Sequence, residues 1–278
     1  MELSGKTAFV TGAANGIGLG LCRALARSGV NLVLADIERQ ALEAARDELA
    51  KFNVRTRTIQ VDVSDAAAFE HAADEAEREF GNIHLLFNNA GITMGPRPLW
   101  EVTPQQWEWI FDVNVFGVIN GIRALVPRMK AHGETGHVVN TASIGGLQVN
   151  PKLRNGSYAM TKYAVVAASE ALALDLEGSN LGVSVLCPAL VATTLYASAA
   201  RRPERLGGPF DRPGADAGKA WMAAGLAPDE VGKRVLDAVA RGEFFIFTHE
   251  EPREWIEARH QRMMAGFDSI ERYNKERR

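Results

Sequence analysis

The sequence predicts an α/β fold: a doubly wound parallel sheet of about seven strands, with helices on both faces. Two observations carry that reading. Short apolar runs alternate with longer stretches of helical periodicity over residues 1–190, which is the pattern of strands joined by crossover helices. A glycine-rich segment, residues 11–18, joins the first apolar run to the first helical one. The chain has 278 residues, 46% of them hydrophobic, enough to fill one large core, so a single domain over 1–278 is expected.

The elements follow in order. Residues 7–11 (TAFVT) read as a short buried strand. Residues 18–28 carry helical periodicity and stop near Gly29, a residue that readily ends a helix. Residues 31–35 (NLVLA) are a second strand, 39–52 a charged amphipathic helix, and 56–61 a third strand. A helix over 66–80 leads to a fourth strand at 84–88 (HLLFN). Residues 104–130 read as one long helix, kinked near its end by Pro127. A fifth strand follows at 136–141, a helix at 158–178 and a sixth strand at 182–187. Strands separated by helices are parallel, with right-handed crossovers. A helix over 228–241 and a seventh strand at 243–248 (EFFIFT) complete the sheet.

Between 193 and 227 the periodicity weakens. Gly and Pro gather at 207–209 and at Pro213-Gly214, so 194–227 reads as a substrate lid. Residues 252–278 are charged and helical, with spaced apolar residues (Trp255, Ile256, Met263, Phe267, Ile270). This extension suits packing on the domain or on a neighbouring subunit.

Composition excludes several functions. The net charge of −3 gives no basic field for nucleic acid or an anionic membrane. The runs Arg201-Arg202 and 275–278 are short and read as solvated charge. Cys22 and Cys187 each sit in an apolar stretch and make no disulfide framework, which fits a reducing, cytoplasmic setting. The six histidines show no metal spacing, and no metal is expected. No leader is expected ahead of the first strand, and no apolar stretch reads as long enough to span a bilayer.

The glycine turn supplies the first functional reading. Gly12, Asn15, Gly16, Ile17 and Gly18 lie between a strand and a helix, where backbone amides can approach a pyrophosphate at the helix N-terminus. A tight strand-to-helix connection is the plainer alternative. Asp36 ends the second strand, about 20 residues past the turn, where a Rossmann-type sheet holds the adenosine ribose. It would repel a 2′-phosphate, and no Arg or Lys lies within the glycine loop. The cofactor expected is therefore NAD, although Asp36 also suits a helix cap. Asp62 is placed near the adenine or as a turn cap. Asn88, Asn89, Ala90 and Gly91 follow the fourth strand, where small and amide residues let backbone pass close to the cofactor and tie adjacent strands.

Tyr158 and Lys162 are four apart and share one helix face. A lysine there is expected to lower the phenol pKa and make Tyr158 a proton donor or acceptor. Ser143 can hydrogen-bond a substrate oxygen, or serve as an ordinary turn serine. Asn114 lies in an apolar helical stretch and suits a proton relay or a structural role at a helix kink.

Together these residues resemble the short-chain dehydrogenase/reductase family, single-domain branch. The likeness runs from Glu2 to Thr193 through the turn 11–18, the run 88–91, Asn114, Ser143, and Tyr158 with Lys162. The resemblance implies Tyr158 as general acid or base, Lys162 on the nicotinamide ribose, Ser143 on the substrate oxygen and Asn114 on a relay water. It also implies cofactor contacts from Pro188, Val191 and Thr193. The chain departs from the family in having Pro188-Ala189 where Pro-Gly is usual. The loop 143–158 is longer and carries Gln148, Asn150, Lys152, Arg154 and Asn155, which implies a polar rim.

The implied function is NAD-dependent interconversion of a secondary alcohol and a ketone. A hydrophobic or aromatic small-molecule substrate is expected from Met94, Leu147, Leu153, Tyr196, Phe210, Trp221 and Met222 in the variable segments. The C-terminal half is loosely similar to bacterial dehydrogenases that oxidise the benzylic alcohol of lignin aryl ethers. Alternatives are an NADP-dependent carbonyl reductase, a hydroxysteroid dehydrogenase, and a non-catalytic NAD-binding regulator. The resemblance also implies a homodimer or homotetramer built through 104–130 and 158–178. Trp107 and Trp109 suit either that interface or the core.

Overall fold

A computed structural model describes residues 2–210 and 215–277. The Pro213-Gly214 pair and Arg278 lie outside the described residues. Seven strands form one parallel sheet: β1 (Thr7–Thr11), β2 (Asn31–Asp36), β3 (Thr56–Gln60), β4 (Leu85–Asn88), β5 (Gly136–Thr141), β6 (Leu181–Cys187) and β7 (Phe245–Phe247). Their order is β3-β2-β1-β4-β5-β6-β7. The direction of winding reverses between β1 and β4, where Val10 pairs with Phe87. Such a switch point opens a crevice at the carboxyl ends of the strands.

Helices cover both faces because the strands are apolar on both. Phe9, Val10, Val33 and Leu34 are all fully buried. One face packs against α1 (Gly16–Arg27), α2 (Arg39–Leu49) and α8 (Pro228–Arg241), through Leu21, Leu25, Leu42, Val231 and Val235. The other packs against α3 (Ala66–Phe80), α5 (Gly117–His132) and α6 (Gly156–Asp175), through Phe69, Leu125, Met129 and Leu172. Local chemistry sets the helix ends. Asp65 accepts from the amides of Ala67 and Ala68 at the start of α3. Thr103 and Gln106 form a reciprocal capping box at the start of α4 (Pro104–Phe111), with Pro104 in the first turn.

Three expectations need correction. Residues 104–130 are not one helix bent at Pro127. The α-helical ladder breaks earlier, in a π-helical turn at Asp112–Phe116, and α5 runs on through Pro127. The helical segment Pro104–His132 also holds an apolar stretch long enough to cross a bilayer. More than half of that stretch is buried within the protein, where the sheet and neighbouring helices use its apolar side chains. The lid is not irregular throughout: it contains two 3₁₀ turns, Leu195–Arg201 and Glu204–Leu206, and the helix α7 (Ala215–Ala223).

The final helix, α9 (Arg253–Glu276), has no buried residue. It touches α6 where Arg259 stacks 5.3 Å from the Tyr163 ring. Cys22 and Cys187 are both buried and unbridged.

Candidate active site

The site begins at the end of β1. Gly12 and Gly16 have positive φ (64° and 52°), which lets the chain turn sharply from strand into helix. A Cβ on Gly12 would lie 2.9 Å from the Ala90 Cα, and one on Gly18 would overlap the Gly12 carbonyl. Bare backbone therefore forms the floor of the turn. Asn15 makes no side-chain cap bond, and the first turn of α1 holds no acidic residue. That turn presents its amides and partial positive charge to an anion.

Thr11 ties this turn to β4. Its hydroxyl accepts from the Asn89 and Ala90 amides at 2.9 and 3.0 Å, while Asn89 Nδ2 donates to the Thr11 carbonyl at 3.0 Å. Asn88 Nδ2 donates to Asn140 Oδ1 at 2.9 Å, so amides do tie the strands together. Thr11 escaped the sequence reading because a strand threonine is unremarkable in isolation.

Asp36 ends β2 with its carboxylate directed into the crevice. One oxygen accepts from the Ala14 amide and the other from the Glu38 amide, each at 3.1 Å. Burial raises its pKa; the two amide hydrogen bonds and the Arg201 charge oppose that rise. Asp62 caps the turn after β3, accepting from the Ser64 amide and hydroxyl at 3.0 and 2.7 Å, and it also lines the crevice.

The residues expected to react gather across the crevice from the glycine turn. Ser143 follows β5. Its Oγ accepts from the Gly145 amide at 3.1 Å and donates to the Pro188 carbonyl at 3.4 Å, close enough to Tyr158 to favour its ionised form. Lys162, one turn beyond Tyr158 on α6, donates to the Thr141 carbonyl at 2.8 Å. Burial pushes the Tyr158 phenol up to about 12, nearby Ser143 pulling the other way. Burial pushes Lys162 down to about 8, partly offset by the nearby Cys187. The expected lowering of the phenol by Lys162 is therefore not what the folded chain shows. Burial dominates at the phenol, and the ammonium gives its hydrogen bond to the Thr141 carbonyl.

Asn114 lies in the π-helical turn and is fully buried. Its Oδ1 accepts from the Ile92 amide at 2.8 Å, and its Nδ2 donates to the Ile92 carbonyl and to Thr161 Oγ1, both at 3.0 Å. These three bonds use both amide hydrogens and one of the two Oδ1 lone pairs. It closes the loop after β4 onto α6, a structural role. Even so, a Cβ on Gly91 would meet Asn114 Oδ1 at 3.3 Å and Lys162 Nζ at 3.4 Å, so a bare glycine lets both groups approach this point.

These segments line one cleft of about 1360 Å³, open to solvent at its mouth. Of the expected site residues, Gly12, Asn15, Gly16, Ile17, Asp36, Asp62, Asn89, Ala90, Gly91, Ser143, Tyr158, Lys162, Pro188, Val191 and Thr193 line it. Gly18 and Asn114 stand behind the wall as supports. Ala189 also lines it, so its methyl is accommodated.

The substrate side differs from expectation. Only Met222 of the seven variable-segment residues lines the cleft; Ile92, Trp109, Val113 and Leu195 do so as well. Met94 is buried in a small core cluster with Trp109, and Phe210 packs edge-on to Trp109 at 6.4 Å. The polar loop residues 148, 150, 152, 154 and 155 line none of it. That loop is turned onto itself, Asn150 Oδ1 accepting from the Lys152 amide, and is tied to Arg97 through the Arg154 carbonyl at 2.8 Å. Among the described residues no group of His, Cys, Asp and Glu is placed to hold a metal.

Comparison with known proteins agrees with this geometry. A family model for short chain dehydrogenases matches residues 6–204. A C alpha-dehydrogenase of Sphingobium is 31% identical over 272 residues, covering 97% of this chain and 88% of that protein. A 1-deoxy-11-beta-hydroxypentalenate dehydrogenase of Streptomyces avermitilis is 35% identical, covering 90% and 87%. Among solved structures, a short-chain dehydrogenase/reductase from Burkholderia phymatum in complex with NAD superposes with a TM-score of 0.90. It is 36% identical, with 96% of each chain covered.

Proposed function

The chain belongs to the short-chain dehydrogenase/reductase family, and from that premise we propose that it interconverts an apolar or aromatic secondary alcohol and its ketone, using NAD in preference to NADP. The observation that carries the cofactor reading is Asp36. Its carboxylate ends β2, opens into the cleft and is already held by two backbone amides. Such a carboxylate accepts hydrogen bonds from ribose hydroxyls and repels a 2′-phosphate. The turn at Gly12 lines the cleft with backbone packed tightly on the loop after β4, where a side chain would run into Asn89 and Ala90, and such a strand-to-helix turn suits a pyrophosphate. Bound NAD supplies the hydride acceptor and a positive charge.

The chain's own residues handle binding and the proton. Tyr158 takes the hydroxyl proton in oxidation and returns it to the carbonyl oxygen in reduction. Ser143, close to Tyr158, orients the same substrate oxygen. Lys162 spends one donor on Thr141 and keeps two for a ribose hydroxyl and a relay water. Asn114 fixes the backbone on which that relay would rest. Support for an apolar substrate comes from Ile92, Trp109, Val113, Leu195 and Met222, which share the cleft with Tyr158.

The test is to follow NADH formation with a panel of aromatic and alicyclic secondary alcohols, and to repeat it with NADP. Turnover with NAD that exceeds turnover with NADP supports the reading. Clear NADP preference would sink the Asp36 argument. We also infer a homo-oligomer, because Phe116, Met160 and Leu174 on the helical segments of 104–130 and 158–178 are exposed. A monomer by light scattering would refute that.

A further inference from the structure

The adenosine end of the cleft has a wall that neither β2 nor the glycine turn supplies. After β6 the chain enters the 3₁₀ turn Leu195–Arg201. Leu195 at its start and Arg201 at its end both line the cleft, so this turn runs along it as a strap. Ser198, fully buried, pins the middle by accepting from the Thr93 amide at 3.2 Å. The far end is pinned by charge: the Arg201 guanidinium is ion-paired with the Glu38 carboxylate, at the start of α2. Arg201 thus faces the same end of the cleft as Asp36 and Ile37. It enters from 163 residues away.

We propose that the Glu38–Arg201 ion pair is a cofactor-selecting clasp: Glu38 occupies the one lid guanidinium that, among the described residues, lines the cleft beside Asp36, and so denies it to a 2′-phosphate. The inference rests on the reading of Asp36 as the ribose ligand.

The charges at this end explain the selectivity. Two carboxylates, Asp36 and Glu38, stand with the guanidinium of Arg201. A ribose bearing two hydroxyls adds no charge and leaves the ion pair intact. A 2′-phosphate adds negative charge beside Asp36, and among the described residues lining this end of the cleft the cation that could meet it is Arg201, already engaged by Glu38. Free guanidinium is a strong bidentate partner for phosphate. The chain therefore holds a latent NADP-binding group and keeps it engaged. Both members are partly exposed, with side chains 29% and 37% accessible, so the pair itself contributes little to stability. Its effect lies in where the cation is held.

The experiment is a fluorescence titration of NADH and NADPH into the wild type, Glu38→Gln and Arg201→Gln, which reads binding without turnover. In Glu38→Gln the guanidinium is released, and NADPH affinity rises about tenfold, the effect of one new charge-assisted contact. NADH affinity in that variant stays within about threefold. In Arg201→Gln the carboxylate is left without its partner, and NADPH affinity falls or stays unchanged. A gain in NADPH affinity in Glu38→Gln with none in Arg201→Gln is a result that loss of a merely structural contact would not give. A Glu38→Gln variant with unchanged NADPH affinity would overturn the clasp alone, as would an equal gain in both variants. If the wild type itself binds NADPH more tightly than NADH, the Asp36 reading fails and the clasp falls with it.

Discussion

The ammonium of Lys162 sits 5.6 Å from the centre of the Tyr158 ring, yet it donates its hydrogen bond to the Thr141 carbonyl and not to the phenol. The two groups are therefore adjacent but separately engaged. Thr141 anchors the lysine at the end of β5, and Ser143, two residues on, lies close to the tyrosine. The proposed reacting pair thus sits at a strand end of the sheet, which positions the lysine through the Thr141 carbonyl.

Replacing Tyr158 by Phe removes the proton-transferring oxygen and leaves the ring's packing. We expect kcat/KM to fall about 10²–10⁴-fold. NADH affinity, measured by fluorescence titration, should change by no more than about threefold, since the turn and Asp36 are untouched. Turnover equal to that of the wild type would refute the assignment of Tyr158.

The pH dependence of ketone reduction should report Lys162. Reduction needs a protonated Tyr158, and a phenol pushed up to about 12 stays protonated through the working range. Lys162, pushed down to about 8, loses its charge as pH rises through that value. Reduction should therefore fall above about pH 8. In Lys162→Arg, slower because the guanidinium fits the slot poorly, the charge persists and that alkaline limb should disappear. A limb that stays near pH 8 in the variant would assign it to another group.

Much of this was legible in the sequence. The strands announce themselves as apolar runs, and the glycine turn and the Tyr158-Lys162 spacing are local patterns. What remained hidden depends on contacts distant in the chain. The π-helical turn is held by Asn114 reaching Ile92 and Thr161, 22 and 47 residues away, so the periodicity of 104–130 reads as one helix and puts the break at Pro127. Trp109 reads equally as core or interface, and only the packing of Phe210 and Met94 around it turns it to the cleft. The ion pair of Arg201 with Glu38 leaves no trace in either segment alone.

Gly18→Ala tests the floor of the cofactor turn. The new methyl would overlap the Gly12 carbonyl and crowd Asn89 Nδ2 at 2.7 Å, so backbone must move. A destabilisation of about 1–3 kcal/mol is expected from such overpacking, read by chemical denaturation. NADH binding should weaken at least tenfold, since the displaced backbone is the expected pyrophosphate cradle. Unchanged stability and binding would show that the turn is not close-packed.

His137 makes the fold acid-sensitive. It is buried at the foot of β5, hydrogen-bonded to Ser184 Oγ at 2.8 Å, and burial pushes its pKa down from 6.5 to about 4. The unfolded chain binds this proton at higher pH than the folded one. The stability it contributes is thus complete above about pH 6.5 and is lost as pH falls toward 4. Its share is about 3 kcal/mol across that window. Denaturation of wild type and His137→Gln at pH 7 and pH 4.5 should show a clearly smaller pH loss in the variant. Equal losses would place the acid sensitivity elsewhere.

The central claim is hydride transfer from a secondary alcohol to NAD, with Tyr158 taking the proton. Its most direct test uses secondary alcohols deuterated at the carbinol carbon, with mass spectrometry of the reduced cofactor. The account predicts one deuterium per NADH formed by the wild type, and almost no labelled NADH from Tyr158→Phe. Binding of NAD without label transfer from any alcohol of an aromatic and alicyclic panel would contradict it.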